Sequence, residues 1–134
     1  MASIRKEIAT RARAADAWDA LRDIGALHTR LVPGFVTDTK LEPGARIVTF
    51  FNGMSVREII VTIDDDARRV VWSAVGGMLT HHNASAQVVA DANGTTKIVW
   101  IADLLPDSAA GVISAMMDQG MTVMKQTLDR LAAG

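Results

Sequence analysis

Two side chains in this sequence could do acid–base chemistry from inside a folded domain. Glu58 lies in an extended apolar segment, and His82 lies in a segment that alternates between apolar and polar residues. A carboxylate withdrawn from water has a raised pKa and can act as a general base, and histidine titrates near neutral pH. We therefore take Glu58 and His82 as candidates for catalysis or for anchoring a ligand. The alternative is structural: Glu58 paired with an arginine at a cavity mouth, and His82 held in the core by a neighbour.

The doublet His81-His82 does not predict a metal site. Neighbouring residues of a strand point to opposite faces, so these two imidazoles cannot bind one ion from a regular strand. The sequence contains no cysteine, which excludes disulfides, thiolate nucleophiles and Cys-ligated zinc. We expect neither a metal nor a cofactor.

The composition is that of one globular domain spanning residues 1–134. Hydrophobic residues make up 49% and charged residues 22%, and the formal net charge is −1. This balance attracts neither nucleic acid nor an anionic membrane surface. The beginning of the chain lacks the apolar stretch of a signal peptide, and the apolar runs are too short for membrane insertion. The expectation is a cytoplasmic protein.

Turn signals divide the chain into strands and helices. Two short helices are predicted at residues 14–24 and 26–31, and a long helix at residues 107–132. The predicted strands are residues 3–11, 35–41, 46–51, 54–64, 68–75, 80–90 and 95–105. The long helix is the only element able to cover one face of such a sheet. The expected class is α+β: a curved antiparallel sheet of about seven strands wrapped round a long C-terminal helix, a helix-grip fold.

The dipeptide Asn52-Gly53 predicts a hairpin with a two-residue turn, and the turn fixes which residues face each other. The pairs that this register predicts are Phe51–Met54, Thr49–Val56 and Ile47–Glu58. It puts Glu58 on the interior face and leaves Arg46 and Arg57 on a solvated face.

On the later strands, the alternation of apolar and polar residues predicts which side chains face inward. Trp72 is expected inside, and His82 inside with His81 outside. The last strand gives a conflict. Alternation places Ile98 and Trp100 inside, whereas a two-residue turn at residues 93–94 places Val99 and Ile101 inside, and a longer turn would remove the conflict. The sequence does not decide which face of the last strand points inward.

Small residues on the expected inner faces, among them Ala74, Ala84, Ala86 and Gly120, suggest an internal void, since a solid core prefers bulkier side chains. Methionines at helical spacing could line an adaptable pocket, though plain core is an equal alternative. The sequence therefore predicts a dry, elongated cavity. The predicted ligand-binding residues are Thr37, Ile47, Thr49, Val56, Glu58, Trp72, His82, Ala84, Met116, Met117, Gly120, Val123, Met124 and Thr127.

Several segments are similar to those of the START-like (SRPBCC) superfamily, which includes birch pollen allergens, polyketide cyclases and abscisic acid receptors. They are Trp18, Leu21 and Asp23 in the first helix, the run Val71-Trp72-Ser73-Ala74-Val75-Gly76-Gly77, and Trp100 followed by Leu104-Leu105-Pro106. The resemblance covers essentially the whole chain and implies a helix-grip fold with an internal ligand cavity. The receptors carry a long gating loop where this chain has Asn52-Gly53, so residues 76–80 are the better candidate for a mobile lip.

Three functions follow from these observations. The first is binding of a small hydrophobic or aromatic molecule, lipid- or polyketide-like, with Thr37, Glu58 and His82 as polar contacts. The second is a cofactor-independent polyketide cyclase or dehydratase in which Glu58 and His82 move protons. The third is a protein-interaction module of the co-chaperone type. An exposed edge strand leaves a homodimer open.

Overall fold

Seven antiparallel strands form one sheet that packs against the long C-terminal helix. The computed structural model describes all residues, 1–134. The strands are β1 (Ala2–Thr10), β2 (Val36–Glu42), β3 (Ala45–Phe50), β4 (Ser55–Asp64), β5 (Arg69–Val75), β6 (His81–Ala90) and β7 (Thr96–Leu105). Their order across the sheet is β1-β7-β6-β5-β4-β3-β2. The expected α+β helix-grip fold is confirmed.

Helix α1 (Ala14–Arg22) forms because alanine and leucine favour the helix and one face becomes buried. Ala17, Trp18 and Leu21 lie on that face, and the Trp18 indole N–H donates to Asp65 at 3.0 Å in the β4–β5 turn. The second predicted helix is one 3₁₀ turn (Ile24–Ala26) followed by one π turn (Leu27–Leu31). These turns carry the chain from α1 to β2.

The hairpin between β3 and β4 has a three-residue loop, one residue longer than the sequence predicted. The Phe50 N–H donates to the Met54 carbonyl, and the Gly53 N–H donates to the Phe50 carbonyl. Gly53 has φ +84°, the left-handed conformation that ends such a loop and that glycine adopts without strain.

That extra residue moves the β3–β4 register by one. Val56 lies opposite Val48, and Glu58 lies opposite Arg46. The predicted pairs Phe51–Met54, Thr49–Val56 and Ile47–Glu58 are therefore wrong. A shift of one residue exchanges the two faces of a strand, so β3 presents Arg46 and Val48 to the interior.

The hairpin between β6 and β7 has the same loop, with Gly94 at φ +79° in the equivalent position. The observed pairs are Val88–Ile98 and Ala86–Trp100. The longer loop removes the conflict left by the sequence, and Ile98 and Trp100 share the inner face with Ala86 and Val88.

Helix α2 (Ala110–Ala133) lies against the inner face with one buried stripe: Met117, Gly120, Met121, Met124 and Leu128. Near its C-terminal end, Asp129 accepts hydrogen bonds from the Thr10 hydroxyl at 2.6 Å and from the Arg11 N–H at 2.9 Å. These bonds lower the pKa of Asp129 to about 2 and fasten α2 to the end of β1. No helix combines the length and hydrophobicity that crossing a bilayer requires.

Candidate functional site

A cavity of about 190 Å³ lies between the inner face of the sheet and α2. Of its 26 lining residues, 21 are hydrophobic, and the charged or titratable ones are Arg46, Glu58 and His82. Its mouth is formed by side chains that are also exposed to solvent: Met54 of the β3–β4 hairpin, Met78 of the β5–β6 loop and Val112 at the start of α2. The site is thus an apolar cavity with a small number of polar groups.

Arg46 and Glu58 form a buried ion pair in the cavity wall. The Arg46 Nε donates to Glu58 Oε1 at 2.9 Å, and the two residues are 4% and 8% exposed. The same guanidinium donates to the Ile24 carbonyl at 3.2 Å and lies 5.7 Å from the centroid of the Trp72 ring. These contacts offset part of the cost of taking two charges out of water.

This pair changes two expectations. Glu58 has an arginine partner, as in the alternative interpretation, but this arginine is buried in the cavity wall and does not lie at a cavity mouth. The prediction that Arg46 lies on a solvated face is wrong, because the longer hairpin loop turns Arg46 inward. Arg57 does lie outside, where it pairs with Glu42 at 2.6 Å.

His82 is held at the point where the β5–β6 ladder ends. The last paired residues are Trp72 and Ala84, and the next position on this face would pair Ala74 with His82. Instead, the Ala74 N–H donates to His82 Nδ1 at 2.9 Å. The imidazole ring therefore takes the place of a backbone carbonyl and stands in the cavity wall.

That hydrogen bond fixes the protonation of the ring. A backbone N–H can only donate, so Nδ1 must present its lone pair, and the proton of the neutral imidazole is on Nε2. Burial lowers the pKa of His82, and the neighbouring His81 lowers it further. His82 thus presents an N–H donor and no acceptor to the cavity.

Glu58 and His82 flank Ala74 on a row across β4, β5 and β6. Glu58 pairs directly with Ala74, whose N–H is bound by His82. Two strand spacings separate their backbones by about 10 Å. The two side chains can therefore contact different parts of one ligand. No cluster of three or more histidine or acidic side chains is present that could hold a metal ion.

Aromatic rings fill the space above the small residues of β6. The ring centroids of Trp72 and Trp100 are 6.1 Å apart although β6 separates their strands, so both rings lean over β6. Ala84 and Ala86 are the direct partners of these tryptophans. Both alanines leave room for the rings, and Ala86 also lines the cavity, whereas Ala84 does not.

On α2, Gly120 likewise leaves room for aromatic rings. A Cβ at this position would stand 3.1 Å from atoms of Phe35 and of Trp100. The absence of a side chain lets both rings approach the helix backbone. Ala84 and Gly120 are accordingly buried in the core and do not line the cavity.

The structure separates the residues predicted from sequence into two groups. Those that line the cavity are Val56, Glu58, Trp72, His82, Met116, Met117 and Met124. Those that do not are Thr37, Ile47, Thr49, Ala84, Gly120, Val123 and Thr127.

The strand register and local hydrogen bonds explain why residues of the second group do not line the cavity. Ile47 and Thr49 lie on the outer face because of the register shift, and the Thr49 hydroxyl bonds the hydroxyl of Ser55. The Thr37 hydroxyl donates to the Thr49 carbonyl, and the Thr127 hydroxyl donates to the Val123 carbonyl within α2.

The cavity residues outside the predicted set include Arg46 and Phe35, and also Trp100, whose face the sequence left open. The three-residue loop at Asn52-Gly53 turns Arg46 inward, and the same loop at Asn93-Gly94 turns Trp100 inward. No pattern pointed to Phe35, which precedes β2 and packs edge-on against Phe50 with ring centroids 5.5 Å apart.

Similar folds occur in several solved structures. XoxI from Bacillus cereus has a TM-score of 0.86 at 16% identity, with 98% of each chain covered. A solution NMR structure from Thermobifida fusca has a TM-score of 0.80 at 26% identity, covering 99% of this chain and 94% of that one. A Thalictrum norcoclaurine synthase point mutant, solved with a transition state analogue, has a TM-score of 0.71 at 19% identity, covering 98% and 94%. A search of curated proteins found no match.

The fold is that of the START-like superfamily: an antiparallel sheet gripping a long helix, with a cavity between them. A family described as "Polyketide cyclase / dehydrase and lipid transport" matches residues 1–133. The chain belongs to this family.

Proposed function

We propose that this protein binds a compact, mainly apolar molecule in the cavity between sheet and helix. The observation that carries the proposal is the cavity itself, whose lining is hydrophobic except for three convergent polar side chains. Ligand sites combine an apolar lining with few placed polar groups in this way. Family membership and the shared fold support the same function.

The size of the cavity limits the ligand. Its volume of about 190 Å³ is below the roughly 300–1,000 Å³ typical of sites for drug-sized molecules. One or two rings suit this volume better than a long acyl chain. The rings of Trp72 and Trp100 offer flat apolar surfaces on which such a ligand would stack.

The second candidate function is catalysis, which the family description brings forward. Two contacts favour binding over proton abstraction. A general base needs a lone pair, and the lone pair of His82 is used by the Ala74 N–H. The carboxylate of Glu58 is held by Arg46. Turnover of a poly-β-ketone that disappears in Glu58→Gln would nevertheless establish the enzyme.

Native mass spectrometry of protein purified from its own host tests the proposed function. We expect a co-purifying small molecule that leaves on denaturation. Its loss in a variant with a filled cavity would assign it to this site. A single stoichiometric protein partner in place of a small molecule would favour the third prediction, an interaction module, and a poly-β-ketone turned over by the protein would favour the second.

A further inference from the structure

We propose that His82 selects the ligand: its Nε2–H donates a hydrogen bond to a carbonyl-type oxygen, so the protein prefers ligands with an acceptor over matched hydrocarbons and amines. This inference rests on the proposed function. It concerns what distinguishes one apolar molecule from another in this cavity.

The first step is the fixed direction of the imidazole. A half-turn of the ring would replace the acceptor Nδ1 by the Cδ2–H group, and transfer of the proton to Nδ1 would set two N–H donors against each other. No protein group accepts a hydrogen bond from Nε2–H. His82, a residue of the cavity lining, therefore has an N–H donor without a protein partner.

The second step is the charge of the surroundings. Arg46, the cation of the lining, is neutralised by Glu58 at 2.9 Å, so the pair carries no net charge toward a ligand. The indole Nε1 of Trp100 is another N–H in the same wall without an acceptor. An ammonium group, which can only donate, would find no partner at His82, whereas a carbonyl oxygen would.

The third step is the position of the donor. His82 lies at the beginning of β6, beside the loop whose Met78 forms part of the mouth. The residue opposite Trp100, Ala86, lies four residues further along β6, roughly 13 Å away. A bound molecule would place its rings near the tryptophans and its oxygen toward the mouth.

Three probes of the same skeleton test the inference: tetralin, its ketone 1-tetralone, and 1-aminotetralin. Isothermal titration of the full chain should show 1-tetralone binding about 3- to 10-fold more tightly than tetralin, as expected for one net hydrogen bond. The amine should bind no more tightly than tetralin. An amine that binds more tightly than the ketone would overturn the inference.

Variants of His82 assign the preference to this side chain. His82→Leu should bring the two affinities within about twofold, mainly by weakening the ketone. His82→Gln should restore part of the preference, because its amide offers an acceptor to Ala74 and a donor to the ligand. His81→Leu is the matched control on the outer face and should behave as wild type.

Imidazole ¹⁵N shifts give a readout that does not depend on the variants folding. The unliganded protein should show the proton of His82 on Nε2, and 1-tetralone but not tetralin should shift that nitrogen. Equal affinities with no shift would refute the role of His82 and leave the proposed function intact. Failure of all three probes to bind would instead count against the proposed function and the inference together.

Discussion

Arg46 and Glu58 occupy directly opposite positions on β3 and β4, and their side chains form a 2.9 Å ion pair inside the cavity wall. A second pair, between Arg57 of β4 and Glu42 of β2, lies on the solvent side, where the two side chains are 2.6 Å apart. The interior pair is almost completely buried, whereas the outer one is half exposed. Because of this contrast in burial, breaking the inner pair should lower the free energy of unfolding more than breaking the outer pair.

Removing one partner of the buried pair should destabilise the fold strongly. Glu58→Ala leaves the Arg46 guanidinium buried without its carboxylate, and we expect the free energy of unfolding to fall by about 3–5 kcal/mol. The double variant Arg46→Met/Glu58→Met should recover most of that loss. Urea denaturation measures both, and Glu42→Ala is the control, with an expected change below about 1 kcal/mol. Equal effects for Glu58→Ala and Glu42→Ala would contradict the buried pair.

Filling the cavity should abolish binding without unfolding the protein. Val56 lines the cavity, and Val56→Phe places a ring in the space that a ligand would occupy. Val61 lies on the same strand and is 57% exposed, so Val61→Phe makes the same chemical change outside. Titration with 1-tetralone should show at least a tenfold loss for Val56→Phe only. Matching affinities in the two variants would mean that the probe binds elsewhere.

The stability of the protein should fall as the pH is lowered below 6.5. Burial and the neighbouring His81 lower the pKa of His82 in the folded state, so the unfolded chain binds the proton more readily. The stabilisation is complete above the unfolded pKa of about 6.5 and is lost as the pH falls through the lower, folded pKa.

Urea denaturation between pH 5 and pH 8 measures this effect. The difference between wild type and His82→Gln should be flat above about pH 7 and should shrink below it. The proton that His82 takes up binds at Nδ1, so the same titration breaks the hydrogen bond from the Ala74 N–H. A difference that stays constant over the whole range would show that His82 does not titrate differently in the folded state.

Two glycines of α2 should respond oppositely to the same substitution. Gly120→Ala places a Cβ 3.1 Å from Phe35 and from Trp100, and we expect a loss of about 1–2 kcal/mol from overpacking. Gly111 has no atom within 4 Å of an added Cβ, so Gly111→Ala should stabilise the helix by about 0.5–1 kcal/mol. Thermal unfolding compares them, and a stabilising Gly120→Ala would disprove the close approach of the two rings.

Much of the site could be read from alternation along single strands. His82 was predicted inside and His81 outside, and the structure has them so, because polar and apolar residues alternate from Asn83 to Val88 of β6. The apolar stripe of α2 is similar: its methionines recur at helical spacing, and Met116, Met117 and Met124 line the cavity. Such patterns are local, so the sequence carries them directly.

The face of β3 could not be read in this way, because it depends on the length of one loop. Asn52-Gly53 suits a two-residue turn and equally suits the end of a three-residue loop with Gly53 left-handed. The packing of the whole sheet decides between them. One residue of difference moved Ile47 and Thr49 outside and brought Arg46 inside.

By itself, the sequence determined the order of the elements, the helix-grip architecture and which side of β6 and α2 faces inward, since each of these follows from hydrophobic periodicity. Tertiary structure alone decided how the polar groups are used. The pairing of Arg46 with Glu58 and the bond from Ala74 to His82 join residues 12 and 8 positions apart across strand boundaries. Register and the end of a ladder set such contacts, and both depend on the packing of the sheet as a whole.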